Sequence, residues 1–185
     1  MAAEYSANAD RPQRVVCFDT DLTISYADGP VPLEHVIALR EEPTTSVWAT
    51  GYNQTLREEA GIPGMPELRE RRDRPATEPI ERADRMRMLQ AEYPDAASYT
   101  VVDDVDLREL EPEGWIYYHP GEYAVEVLDL MPNEWPDASG VRFSEYMEKV
   151  GSFAGHLPAE ELDFTTERPR AARVAAERGD DTDGQ

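Results

Sequence analysis

Lysine is almost missing from this chain: of its 18 basic residues only Lys149 is a lysine and 17 are arginines, set against 39 acidic residues. Histidine is scarce as well, and His35, His119 and His156 fall in unrelated loop and helix contexts, which argues against a histidine-based metal centre. The single cysteine, Cys17, excludes an intramolecular disulfide. It lies inside an apolar run, where a free thiol behaves as a small, inert hydrophobe. No stretch approaches the roughly 18 apolar residues of a membrane span. The N-terminus "MAAEYSANADRPQR" also lacks the charged-then-apolar pattern of a secretory signal, so the sequence predicts a cytoplasmic protein with no membrane partner.

What is abundant is negative charge, −21 net at pH 7. Charge this far from zero keeps a protein solvated in strong salt at a cost in self-repulsion. With arginine used almost exclusively over lysine, it points to a salt-adapted cytoplasm. At such ionic strength the Debye length is about 3 Å or less, so the acidic surface does not exclude a phosphorylated or nucleic-acid ligand.

At 185 residues the chain suits one domain. Residues 1–13 read as a disordered leader and 166–185 as a polar, disordered tail. Between them, 14–165 form the domain, with the informative part in 14–106 and a less defined extension in 107–165. Four runs read as strands: Arg14 to Phe18, "TSVWAT", "SYTVVDD" and "GWIYYH". "PLEHVIALREE", "NQTLREEAGIPG" and "IERADRMRMLQAEYPDA" read as helices, the second capped by Asn53 and ended by Gly61. "FSEYMEKVGSF" is a further helix candidate. The segment "MPELRERRDRPATEP" reads as a polar, proline-punctuated connection, in the plainer reading a solvated helix, whose Arg69, Arg71, Arg72 and Arg74 either pair with Glu67 and Glu70 or flank a phosphate-binding entrance. In the third helix, "IERADRMRMLQAEYPDA", Ile80, Ala83, Met86 and Leu89 mark a core stripe, and Trp115, Tyr117 and Tyr118 read as sheet-face residues rather than a stacking platform. Strands alternating with helices imply an α/β fold with a central, mainly parallel sheet, whose ligands gather at the carboxyl ends of the strands.

Three of those strands end in polar residues: Asp19-Thr20-Asp21, Thr50-Gly51 and Asp103-Asp104. Four carboxylates in one crevice cannot all ionise unpaired, and a hard divalent cation resolves the conflict. Magnesium suits it, since it takes oxygen ligands and is usually held by one or two carboxylates together with substrate phosphate. The plainer reading is that Asp103 and Asp104 are surface acids of a halophilic protein and Thr50-Gly51 a strand-ending turn.

"FDTDLT", "WATG" and "VVDD" resemble the first, second and fourth motifs of the haloacid dehalogenase-like phosphohydrolases. The resemblance implies a three-layer Rossmann-like fold, with Asp19 as the nucleophile that becomes an aspartyl-phosphate and Asp21 as general acid and base. It further implies Thr50 and Gly51 at the transferring phosphoryl group, and magnesium held by Asp19, Asp21 (through its main-chain carbonyl), Asp103 and Asp104. The family's third motif is a lysine at the start of the helix before the fourth-motif strand. This chain offers only arginines there, Arg82 or alternatively Arg85, and guanidinium is not interchangeable with ammonium.

The stretches from Thr23 to Thr50 and from Thr50 to Arg82 are too short for the cap domain that many relatives insert. An open site admits a small phosphorylated molecule or a nucleic-acid end, or relies on a partner protein to close it. A second reading is a binding or regulatory module with this fold but little turnover.

Overall fold

The computed structural model describes residues 11–131 and 146–148. Its centre is a four-stranded sheet of β1 (Arg14–Phe18), β2 (Thr45–Ala49), β3 (Ser98–Val102) and β4 (Trp115–Tyr118) in the order β2-β1-β3-β4, every neighbouring pair parallel. Val15 and Cys17 of β1 point to one face, Val16 and Phe18 to the other, and all four are buried. A strand covered on both faces needs an unbroken apolar run, which is why "VVCF" shows no polar alternation.

Helices α1 (Leu33–Glu41), α2 (Gln54–Ala60) and α5 (Pro120–Glu126) cover the Val16 and Phe18 face through Val36, Leu39, Leu56, Ala60 and Tyr123. Helices α3 (Met65–Arg71) and α4 (Arg82–Glu92) cover the opposite face through Met65, Leu68, Ala83, Met86 and Leu89. The layers are thus helix, sheet, helix, a Rossmann-like α/β arrangement. From β1 the chain crosses through α1 to β2, then returns past β1 to β3. Right-handed crossovers put helices on opposite faces when the direction of travel reverses. The reversal falls between β1 and β3, and it opens a crevice above their carboxyl ends.

The local expectations for these elements hold. Asn53 Oδ1 accepts from the Leu56 N–H at 2.9 Å, and Gly61 closes α2 at φ 62°. The α4 stripe and Cys17 are core, and Trp115, Tyr117 and Tyr118 are buried.

The connection after α2 contains a helix, α3, as its plainer reading has it, but not a wholly solvated one, since Met65 and Leu68 are buried against the sheet. The arginine cluster there does not pair with Glu67 and Glu70. Glu67 is taken by Arg57, while Arg71 and Arg72 reach Glu92 and Arg74 pairs with Glu78. Arg71 also lies over the Trp48 ring, 5.1 Å from its centroid. Order also begins slightly before Arg14, since the Gln13 N–H donates to Thr44 O and the Gln13 carbonyl accepts from Ala97 and Ser98.

Most of the expected leader, the tail, and the candidate helix "FSEYMEKVGSF" apart from Tyr146–Glu148 lie outside the described residues. Among the described residues no helix is long and apolar enough to cross a membrane.

Candidate functional site

The sheet register brings the sequence motifs together. Phe18 lies opposite both Ala49 and Val102, so the next residue of each strand, Asp19, Thr50 and Asp103, emerges at one level. Hydrogen bonding continues past the strands: Asp19 N–H donates to Val102 O at 2.9 Å and Thr50 N–H to Phe18 O at 3.0 Å. These side chains therefore stand on main chain fixed by the sheet.

Asp19, Asp103 and Asp104 each bring one carboxylate oxygen within 4.8 Å of the others. Asp103 is 0% exposed and Asp104 4%, so neither is a surface acid of a halophilic shell. Burial first, and then the Asp19 charge, push the Asp103 carboxyl above the usual carboxylate range, with Arg82 only partly offsetting them. Asp104 is raised by burial, then by Asp103 and Asp19. Asp103 Oδ1 accepts from Val105 N–H at 2.9 Å and from Arg82 at 2.7 Å, whereas its buried Oδ2 has no hydrogen-bond partner. An orphaned buried carboxylate oxygen costs free energy unless something fills its lone pairs. Three clustered carboxylates, one with an orphan oxygen and no imidazole or thiolate among the donors, fit a hard divalent cation.

Arg82 opens α4 and is the cation of this cluster. Its Nη1 lies 2.7 Å from Asp103 Oδ1 and 3.5 Å from Asp19 Oδ2. Burial pulls the guanidinium down, but Asp103 and Asp19 more than compensate and hold it above its ordinary value. Arg85, the alternative, sits one turn further on. It donates to Ile80 O at 2.9 Å and to Thr50 O at 3.5 Å, without an ion pair to Asp19. Thr50 is fully buried and its hydroxyl donates to Asp19 Oδ1 at 3.2 Å.

Gly51 is fixed from outside the motif. Its carbonyl accepts from Met65 N–H at 3.1 Å, and a Cβ on Gly64 would stand 2.5 Å from that oxygen. Gly64 has an extended backbone, so glycine is needed there for the close approach.

The Asp21 side chain is exposed and outside the three-carboxylate cluster. It precedes Leu22, which is buried at φ 56°, a left-handed conformation uncommon for a non-glycine residue. Such a conformation persists only when its surroundings fix it. Leu22 N–H donates to Ala27 O at 2.8 Å, and Leu22 O accepts from the Tyr146 hydroxyl at 2.9 Å. Tyr146 is 1% exposed, and its ring packs edge-on to His119.

Tyr146 and Tyr117 are the residues that sequence reasoning missed. The Tyr117 hydroxyl donates to Asp103 O at 3.0 Å and steadies the end of β3. Two tyrosines in aromatic-rich segments carry no signal that their hydroxyls meet a particular carbonyl. No family model, curated protein or solved structure matches this chain.

Proposed function

We propose that this protein is a magnesium-dependent phosphohydrolase acting through an aspartyl-phosphate on Asp19, as in the haloacid dehalogenase-like enzymes whose motifs it resembles. The observation that carries this reading is the meeting of Asp19, Asp103 and Asp104 with Arg82 and Thr50 over the β1 and β3 ends. Magnesium would be held by Asp19, Asp103 and Asp104 with the main-chain carbonyl of Asp21, and when bound it supplies neutralisation of the phosphoryl oxygens.

An Asp19 oxygen attacks phosphorus and the ester P–O bond breaks. Asp21 gives its proton to the departing alkoxide. Asp21 then takes a proton from water as that water attacks the same phosphorus, the bond to Asp19 breaks, and inorganic phosphate leaves. Once it has given up its proton, Asp21 is the carboxylate that the second step needs as base, so one side chain serves both steps. Thr50 offers a hydroxyl and Arg82 a fixed charge where negative charge develops. The substrate class is a phosphomonoester, either a small molecule or a nucleic-acid end.

The arginine at 82 favours a second reading, a binding or regulatory module that keeps the metal set without turnover. A guanidinium holding Asp103 at 2.7 Å serves the structure as well as it serves catalysis. Hydrolysis of para-nitrophenyl phosphate in multi-molar potassium chloride, with magnesium against chelator, separates the two. Chelator-sensitive turnover that Asp19→Asn abolishes is expected. Turnover that survives Asp19→Asn overturns the aspartyl-phosphate route, and magnesium binding without turnover on a substrate panel selects the module.

A further inference from the structure

Beside the carboxylate cluster, an open cleft of about 450 Å³ is lined by Tyr52, Met65, Pro66, Arg69, Ala76 and Arg85. It abuts the end of β2, because Arg85 Nη1 lies 3.5 Å from Thr50 O and 3.7 Å from where a Gly51 Cβ would stand. Arg82, which reaches Asp19, is three residues before Arg85 on α4, so the two arginines occupy neighbouring positions on one helix face.

Arg69 and Arg85 differ from the arginines around them. In this chain of net charge −21, Arg57, Arg71, Arg72, Arg74, Arg87 and Arg108 each sit on a carboxylate. Arg69 instead donates to the carbonyls of Pro75 and Glu78, both at 2.6 Å, and Arg85 to those of Ile80 and Thr50. Among the described residues neither has a carboxylate within 4.0 Å. A carbonyl orients a guanidinium without neutralising it, and each guanidinium has five N–H donors, of which these bonds use two. Burial, followed by the nearby Arg82 and Arg69 charges, holds Arg85 below its ordinary value. Arg82 is already balanced by Asp103 and Asp19, which leaves Arg69 and Arg85 as two guanidiniums beside one cleft with no carboxylate partner among the described residues, an arrangement that favours an anion.

The geometry points to a second anion subsite in this cleft, where Arg69 and Arg85 bind a further phosphate carried by the same substrate whose phosphomonoester reacts at Asp19. This rests on the phosphohydrolase reading and narrows it to bisphosphorylated substrates. Met65, Pro66 and Ala76 supply an apolar floor, and Tyr52, 67% exposed at the rim, offers a ring face to the body of the substrate. Arg71 and Arg72 have no part in it. They pair with Glu92 at the far end of α4, roughly 15 Å from Arg82 at 1.5 Å per residue.

The test compares kcat/KM, in multi-molar potassium chloride with magnesium, for adenosine 3′,5′-bisphosphate over adenosine 5′-monophosphate and for fructose 1,6-bisphosphate over fructose 6-phosphate. The wild type is expected to favour at least one bisphosphate by about tenfold or more, the scale of a charge-assisted contact. A preference in both pairs assigns recognition to the phosphate alone, and one confined to the nucleotides adds the Tyr52 ring. Arg85→Met and Arg69→Met, made separately so that loss of one fold does not remove the test, are each expected to bring that ratio down severalfold. Equal rates for mono- and bisphosphates in the wild type overturn the subsite, as does a preference that both variants keep. If the protein turns over nothing, titration of the same four compounds into Asp19→Asn with magnesium reads the subsite directly. Tighter binding of a bisphosphate then supports it even though the hydrolytic reading has failed, and equal binding overturns it.

Discussion

Arg82 and Asp103 are joined at 2.7 Å across the mouth of the sheet, from the first turn of α4 to the end of β3. The same guanidinium nitrogen stands 3.5 Å from Asp19 Oδ2, so one cation serves two strands. Asp103 has no exposure and depends on this partner, whereas Arg82 keeps 31% of its side chain in contact with solvent.

Arg82→Ala therefore leaves a buried carboxylate without its cation. The expected destabilisation is below the ~3–5 kcal/mol of a fully buried pair because Arg82 is partly solvated. Arg82→Lys restores the charge but not the planar fork, and it should recover part of the loss. Thermal unfolding of the three proteins checks the order wild type, Lys, Ala. An Ala variant as stable as wild type would show that the pair contributes nothing.

Asp104 is a charge that burial and its neighbours oppose. Asp104→Asn removes that repulsion and is expected to raise the unfolding temperature of the metal-free protein. Wild type should gain the most from magnesium, by about 2.7 kcal/mol when the free ion is at 100 times its dissociation constant. Asp104→Asn should gain much less. Melting curves with and without magnesium decide it, and equal metal shifts in the two proteins would remove Asp104 from the metal set.

Gly64→Ala would set a methyl 2.5 Å from Gly51 O, closer than the two atoms can approach. The loop after β2 must move, with an expected cost of about 1–3 kcal/mol. The same shift displaces the Thr50-Gly51 turn, so the turnover proposed for this site should fall further than stability alone explains. Activity compared with wild type at a temperature where both are folded is the measurement.

Tyr146→Phe removes the hydroxyl that holds Leu22 O, and the loosened Leu22 turn carries Asp21 with it. If Asp21 protonates the leaving oxygen, alkyl phosphates should lose kcat severalfold while para-nitrophenyl phosphate, whose leaving group needs little protonation, changes less. A uniform loss on both substrates would assign Tyr146 to folding alone.

His35 is half-buried with Nε2 2.8 Å from the Tyr123 hydroxyl, and its ring meets Phe18 edge-on. Burial holds its pKa below the ordinary 6.5, with Glu42 raising and Arg14 lowering it further. The unfolded chain then binds the proton more readily than the fold does. Its contribution is fully present above the unfolded pKa and falls away as pH drops from about 6.5 toward the lower folded value. Between pH about 7.5 and about 5.5, wild type should lose more stability than His35→Gln. Denaturant midpoints at the two values test the sign.

Much of this site was legible from strand-end chemistry. "VVCF" followed by Asp19, and "TVV" followed by Asp103, read as buried strands with carboxylates at their ends, because a strand covered on both faces announces itself as an apolar run. The register between those strands was not legible, since it is set by pairing across distant segments. The choice between Arg82 and Arg85 also needed coordinates. Three residues apart on α4, they differ little in local sequence but point one guanidinium at Asp19 and the other into the neighbouring cleft.

The sequence by itself determined the periodicities, the polar strand ends, the cap at Asn53 and the core stripe of α4. Each is a local consequence of side-chain size, polarity and backbone preference. Only the tertiary structure decided that Asp103 and Asp104 are buried, that Glu92 takes Arg71 and Arg72, and that Tyr146 secures the turn after Asp21. Those outcomes depend on which distant groups share a small, weakly screened volume, where one partner more or less changes the energy of a charge.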